Sequence, residues 1–110
     1  MKKGFQIILL FSLVLTASAQ TSPDSLKQVL ENAQTDSIRF DALYSLTAYY
    51  INRDLSQSVE YGEQALEVAR QTGSIVLENK ALEYLALGRY FQGNYDEALN
   101  NWLASIDLYV

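Results

Sequence analysis

Two stretches of this 110-residue chain repeat each other at an offset of about 40 residues. Residues 54–57 and residues 94–97 each place Asp or Asn three positions before Gln or Glu, an arrangement that resembles the capping box at the start of a helix. Apolar positions continue at the same offset, pairing Val59 with Leu99. A period of this length that contains two helices predicts a stack of helical repeats.

The spacing of apolar residues predicts helices throughout the chain after residue 20. Residues 42–46 and 81–85 share the pattern Ala-Leu-x-x-Leu at an offset of 39, one residue less than the offset between the two capping segments. The turn between the paired helices therefore differs in length by one residue between the two repeats. Capping residues and glycines divide this region into five helices with short connections, which favour antiparallel packing of neighbours. The five helices are expected to begin at Pro23, after Thr35, at about Leu55, at about Ile75 and near Tyr95, and Asn94 is expected to cap the last.

The composition excludes several kinds of catalytic and metal site. The chain has no His and no Cys, so it cannot form a zinc site built on those residues, a Ser-His-Asp triad or a disulfide. Glu60, Glu63 and Glu67 lie on one side of a helix, where they are best explained as a solvated face. We therefore expect no enzyme activity, no cofactor and no metal.

The charge balance of the chain indicates which class of partner is disfavoured. Thirteen acidic residues outnumber eight basic ones, for a net charge of −5, which disfavours direct nucleic-acid binding.

The first residues have the layout of a secretory signal peptide. Lys2 and Lys3 precede the apolar run 5–15, and a small-x-small cleavage motif ends at Ala19. The apolar run is shorter than the roughly twenty residues that a spanning helix needs. The sequence thus predicts a signal peptide over 1–19, a helical domain over 20–110, and a periplasmic or secreted protein. An uncleaved anchor in the inner membrane is the alternative.

Residues 92–99, Gln-Gly-Asn-Tyr-Asp-Glu-Ala-Leu, resemble the turn between the two helices of a tetratricopeptide repeat (TPR). Residues 61–66 resemble the later part of that family's second helix, and the resemblance covers residues 39–110. It implies an all-α fold in which antiparallel helix pairs stack as a right-handed solenoid of about two to two and a half repeats. The sequence departs from the family in its longer period, in Arg89 where an aromatic residue is usual, and in Ser58 where Ala is usual.

The resemblance also implies a concave face that binds a protein or peptide. The clamp that some family members use for a peptide carboxylate is missing, so we expect apolar contacts with an extended or helical segment. The residues expected on this face come from the first helix of each pair and are Asp41, Tyr44, Ala48, Asn52, Lys80, Glu83, Leu87 and Phe91.

The last helix is expected to run to the end of the chain and to leave an apolar packing edge at Trp102, Ile106 and Tyr109. Such an edge indicates either further repeats or a downstream domain of the same chain, or a partner. The main interpretation is an exported scaffold module that binds proteins or peptides. The alternative is the periplasmic sensory segment of a larger histidine kinase or transcriptional regulator. A third role, in outer-membrane assembly or carbohydrate uptake, is disfavoured because no lipidation cysteine is present.

Overall fold

The computed structural model describes residues 22–110, so the predicted signal peptide over 1–19 lies outside the described residues. The described part of the chain consists of helices and short turns, with no strand, which confirms the all-α prediction. The five helices are α1 (Pro23–Glu31), α2 (Asp36–Tyr50), α3 (Leu55–Thr72), α4 (Ile75–Phe91) and α5 (Tyr95–Asp107).

Four of the five helices begin with a side-chain cap, and the sequence predicts three of these caps, at Ser22, Thr35 and Asp54. The side chains of Ser22, Thr35, Asp54 and Ser74 each accept a hydrogen bond from the backbone N–H three residues later. Such a bond satisfies one of the N–H groups that a helix leaves without an internal partner.

The predicted cap at Asn94 is wrong in one respect. Asn94 occupies the N-cap position of α5, but its side chain forms no capping hydrogen bond. Its backbone lies at φ −86° and ψ 69°, away from the extended conformation of the other four caps, and its amide instead donates to Gln92 at 3.4 Å.

The helix ends follow local backbone chemistry. Gly73 ends α3 with φ of 73°, and Gly93 follows α4 with φ of 84°, a left-handed conformation that glycine adopts without steric cost. The expectation that the last helix runs to Val110 is wrong, because α5 ends at Asp107 and Leu108 caps it. The backbone N–H groups of Tyr109 and Val110 bond back to the carbonyls of Ile106 and Asp107 in a closing turn.

Each helix packs on the next one in the chain, and α2 also packs on α4. Because the connections are short, consecutive helices are antiparallel, which places α2 and α4 side by side in the same direction. The core lies among α2, α3 and α4, and its buried apolar side chains are Phe40, Leu43, Ala65, Leu66, Val68, Ala69, Ala81, Leu82 and Leu85.

Glycines let α4 approach α3 closely. A Cβ atom added to Gly88 would lie 3.1 Å from Val59 Cγ2, and one added to Gly62 would lie 3.4 Å from Leu85 Cδ1. The face of α3 that carries Val59 and Gly62 is therefore covered by α4. Among residues 22–110, no helix combines the length and apolar character needed to cross a membrane.

Candidate functional site

The structure brings several of the predicted binding residues together where α2 and α4 lie side by side. The ring of Tyr44 on α2 meets the ring of Tyr84 on α4 edge to face, with centroids 5.1 Å apart. The ammonium group of Lys80 lies 5.7 Å from the Tyr44 ring centroid, a cation–π distance. Tyr84 joins Tyr44, Glu83 and Leu87 around a surface hollow of about 240 Å³, which we call the aromatic hollow.

A second hollow lies at the carboxyl ends of the same two helices. It has a volume of about 850 Å³, and both Asn52 and Phe91 line it. We call it the terminal hollow. Its remaining lining comes from the turn after α2, the first two residues of α3 and the turn after α4, namely Ile51, Arg53, Asp54, Leu55, Ser56, Gln92 and Asn94.

Each hollow is lined by residues that are one repeat apart in the sequence. Tyr44 and Glu83 in the aromatic hollow, like Asn52 and Phe91 in the terminal hollow, are separated by the same offset as the two Ala-Leu-x-x-Leu segments. Each hollow thus takes residues from α2, or from the turn after it, and from the equivalent positions of α4, and we call the side of these two helices that carries both hollows the groove. Two predicted residues of α2, exposed Asp41 and half-buried Ala48, line neither hollow.

The electrostatics of the aromatic hollow favour an uncharged phenol. Burial raises the pKa of Tyr44, and the neighbouring Tyr84 and Glu83 raise it further because each carries, or can acquire, a negative charge. Tyr44 is therefore an uncharged side chain at ordinary pH, with the side chains of Lys80 and Glu83 beside it. This set can hold apolar and polar side chains, but it has no nucleophile paired with a base.

The predicted packing edge on α5 is only partly open. Trp102 is half-buried and packs against Tyr90, with ring centroids 6.1 Å apart, so it does not stand free as the sequence suggests. Ile106 and Tyr109 are exposed.

Sequence reasoning missed the part that Arg89 plays in joining three helices. Its guanidinium donates to Glu63 of α3 at 2.6 Å and to Glu97 of α5, although Arg89 itself is in α4. The only sequence signal was that an Arg stands where an aromatic residue is usual. Arg89 and Asn101 line a hollow between these helices, and each has a buried polar atom without a hydrogen-bond partner in the described part of the chain.

The described residues hold no group of three acidic side chains arranged to bind a metal ion. The chain matches no family model, no curated protein and no solved structure. The resemblance to the tetratricopeptide repeat therefore rests on the sequence alone.

Proposed function

We propose that this chain is a helical-repeat scaffold of the tetratricopeptide type that binds a segment of another protein in the groove between α2 and α4. The observation that carries this proposal is the pair of hollows along that groove, each lined by residues that are one repeat apart in the sequence. The packing of α2 on α4 is what a stack of helix pairs requires, and it supports a solenoid.

The spacing of the hollows suits an extended peptide. Asn52 lies eight residues after Tyr44, in the turn that follows α2, and eight residues at about 1.5 Å each correspond to about 12 Å. An extended chain covers that distance in about four residues, so side chains at positions i and i+4 reach both hollows. The aromatic hollow is lined by two Tyr rings and Leu87, and it favours an apolar side chain.

The second part of the proposal is that the scaffold works outside the cytoplasm. It rests on the sequence of residues 1–19, whose basic start, apolar run and small-x-small motif are typical of an exported protein. Cell fractionation together with N-terminal sequencing of the isolated protein tests it. Export predicts a new N-terminus at Gln20, whereas an N-terminus at Met1 in the cytoplasmic fraction would contradict it.

Selection from a random peptide library tests the groove. The full chain is immobilised, enriched peptides are synthesised, and their dissociation constants are compared for the parent, Phe91→Ser and Val76→Ser. Phe91 and Val76 are both apolar residues of α4 that are more than half exposed, but only Phe91 lines the groove. The matched pair therefore separates loss of groove contacts from a general effect of the substitution.

We expect enriched peptides with an apolar side chain four positions from a second contact residue. Phe91→Ser should weaken their binding at least tenfold, and Val76→Ser should change it less than twofold. The proposal fails if no peptide is enriched, or if Phe91→Ser binds the enriched peptides as tightly as the parent.

A further inference from the structure

The last helix presents an apolar stripe that lies on a surface separate from the groove. Five residues share this stripe at helical spacing, four in α5 and one in the turn that follows it: Tyr95, Leu99, Trp102, Ile106 and Tyr109. Four of them are more than half exposed. A contiguous apolar surface of this kind on a soluble domain marks an interface.

The internal repeat shows what this stripe is shaped to receive. One repeat earlier in the chain, Leu66 and Ala69 occupy the positions of Ile106 and Tyr109. Leu66 is 7% exposed and Ala69 is 0% exposed, whereas Ile106 is 61% exposed and Tyr109 is 64% exposed.

The difference arises because α4 covers α3, while nothing among residues 22–110 covers the equivalent side of α5. On the other side of these helices, the equivalent positions are buried in both. Ser58 and Ala65 of α3 are buried, and so are their counterparts in α5, Ala98 and Ser105. The two helices therefore differ in burial at the stripe itself, and the stripe has the register of a helix-binding face.

One position of the stripe dictates the shape of the occupant. Gly62 lies against Leu85 of α4, at a distance of 3.4 Å for an added Cβ atom. Trp102 occupies the position in α5 that Gly62 occupies in α3, so a large side chain replaces the small residue on this face. A helix that lies on α5 as α4 lies on α3 must then have a small residue opposite Trp102, because an indole and a Leu cannot share that space.

The charges of α5 decide between a second copy and a different partner. All three ionisable side chains of α5 other than Tyr95 are acidic: Asp96, Glu97 and Asp107. Glu97 is paired with Arg89, whereas Asp96 and Asp107, at opposite ends of the helix, form no ion pair within residues 22–110. Two copies of this face would bring like charges together, but a helix with Lys or Arg near both ends would place opposite charges beside both carboxylates.

We propose that the stripe on α5 binds an amphipathic helix of another protein, one that has basic residues near both ends and a small residue opposite Trp102. The helix lies antiparallel to α5, in the arrangement that α4 adopts on α3. This proposal does not depend on peptide binding in the α2–α4 groove.

Trp102 is the only tryptophan in the chain, so its fluorescence emission reports directly on the stripe. The full chain is titrated with three synthetic amphipathic helices that contain no tryptophan. The first has Lys near both ends and Ala at the central apolar position, the second replaces Lys by Glu, and the third replaces the central Ala by Leu. The variants Ile106→Lys and Ile38→Lys are titrated with the first helix, since both residues are exposed Ile, but Ile38 is on α2.

We expect the first helix to shift Trp102 emission to shorter wavelength and to bind at least tenfold more tightly than the Glu-flanked and Leu-centred helices. Ile106→Lys should weaken its binding at least tenfold and Ile38→Lys less than twofold, with unchanged far-ultraviolet circular dichroism. Equal affinity for all three helices, or no emission shift with any of them, would overturn the proposal. A concentration-dependent blue shift of the chain alone would also overturn it, because the stripe would then bind a second copy.

Discussion

Ser74 and Asn94 hold the same position before consecutive helices, but only one of them forms a capping bond. The Ser74 hydroxyl accepts a hydrogen bond from the N–H of Leu77 at 3.2 Å, whereas the Asn94 side chain bonds no backbone N–H of α5. In this chain the capping bond forms before the four helices whose N-cap backbone is extended, and it is missing before α5, whose N-cap backbone is not.

Replacing the two caps by Ala tests this difference. Ser74→Ala should lower the free energy of unfolding by about 1 kcal/mol, because it leaves an N–H at the start of α4 without its partner. Asn94→Ala should lower it by less than about 0.5 kcal/mol, because no capping bond is lost. Urea unfolding followed by circular dichroism measures both, and equal losses would contradict the assignment.

The close contacts of Gly62 lead to a second prediction about the stability of single-residue variants. An added Cβ atom would lie 3.4 Å from Leu85 Cδ1 and 3.5 Å from Thr47 Cγ2, which is contact distance. Gly62→Ala should therefore stabilise the fold by about 0.5–1 kcal/mol, since Ala favours the helical backbone over Gly. Gly62→Leu should destabilise it by about 2 kcal/mol or more, because the added atoms overlap α4. Thermal unfolding of the two variants checks the signs, and a stable Leu variant would mean that α4 is not seated on this face.

Local residue chemistry explains why most helix boundaries could be predicted. Caps and glycines act within three or four residues, so Ser22, Thr35 and Gly73 mark helix ends without any knowledge of the fold. The end of α5 could not be predicted this way, because apolar Leu108 and Tyr109 continue the helical pattern past Asp107 and no glycine interrupts it.

Between elements, a buried hydrogen bond joins α3 to α2, next to a second buried bond within α2. The Ser58 hydroxyl donates to the backbone carbonyl of Thr47 at 2.8 Å, and the Thr47 hydroxyl donates to the carbonyl of Leu43 at 2.8 Å. Ser58 and Thr47 are each 1% exposed. The structure thus gives a reason for Ser at a position where the resemblance leads one to expect Ala.

Removing the Ser58 hydroxyl should cost about 1 kcal/mol of unfolding free energy, the net value of a hydrogen bond formed in the protein interior. Ser58→Ala is compared with Ser56→Ala, which changes an exposed Ser of the same helix turn and should cost less than about 0.5 kcal/mol. A Ser58→Ala variant as stable as the parent in urea would show that the bond adds nothing to the helix pair.

Tyr44 predicts a pH dependence for the contact between α2 and α4. Its folded-state pKa is raised from the ordinary value of 10.0, first by burial and then by Tyr84 and Glu83. The folded chain therefore holds the phenol proton more tightly than the unfolded chain. The stability that follows from this is full below about pH 10 and is lost as pH rises through the unfolded and then the folded pKa.

The urea midpoint of the parent should accordingly fall as the pH rises above about 10, and the midpoint of Tyr44→Phe should fall less steeply because that variant has no phenol to ionise at this position. Parallel curves for the two proteins would mean that Tyr44 is not held in the contact that the structure gives it.

The contacts between elements were the least predictable from sequence. The pairing of Arg89 with Glu63, 26 residues earlier, depends on how α3 and α4 cross, which no local pattern encodes. The aromatic hollow likewise depends on the packing of Tyr44 against Tyr84. The residues expected in the groove from the sequence include Tyr44, Glu83 and Leu87 but not Tyr84, which lines the aromatic hollow with them.

For the molecule as a whole, the offset of the internal repeat organises both candidate surfaces. The groove is lined by residues of α2, the turn after it and α4 that are one repeat apart. The same offset relates α3 to α5, and there a covered face of α3 corresponds to an exposed face of α5. The offset was visible in the sequence, and the all-α fold could be predicted from it. The sequence could not predict whether a given helix face is covered, because that depends on which helix packs against it rather than on the pattern of the helix itself.

The measurement that tests the proposed scaffold most directly is nuclear magnetic resonance mapping of a library-selected peptide on the isotope-labelled chain. Binding in the groove predicts that the largest backbone shift changes lie at Tyr44, Tyr84 and Leu87, with a second group at Asn52 and Phe91, while α1 changes little. Shift changes confined to other helices, or the absence of any saturable change, would contradict the account.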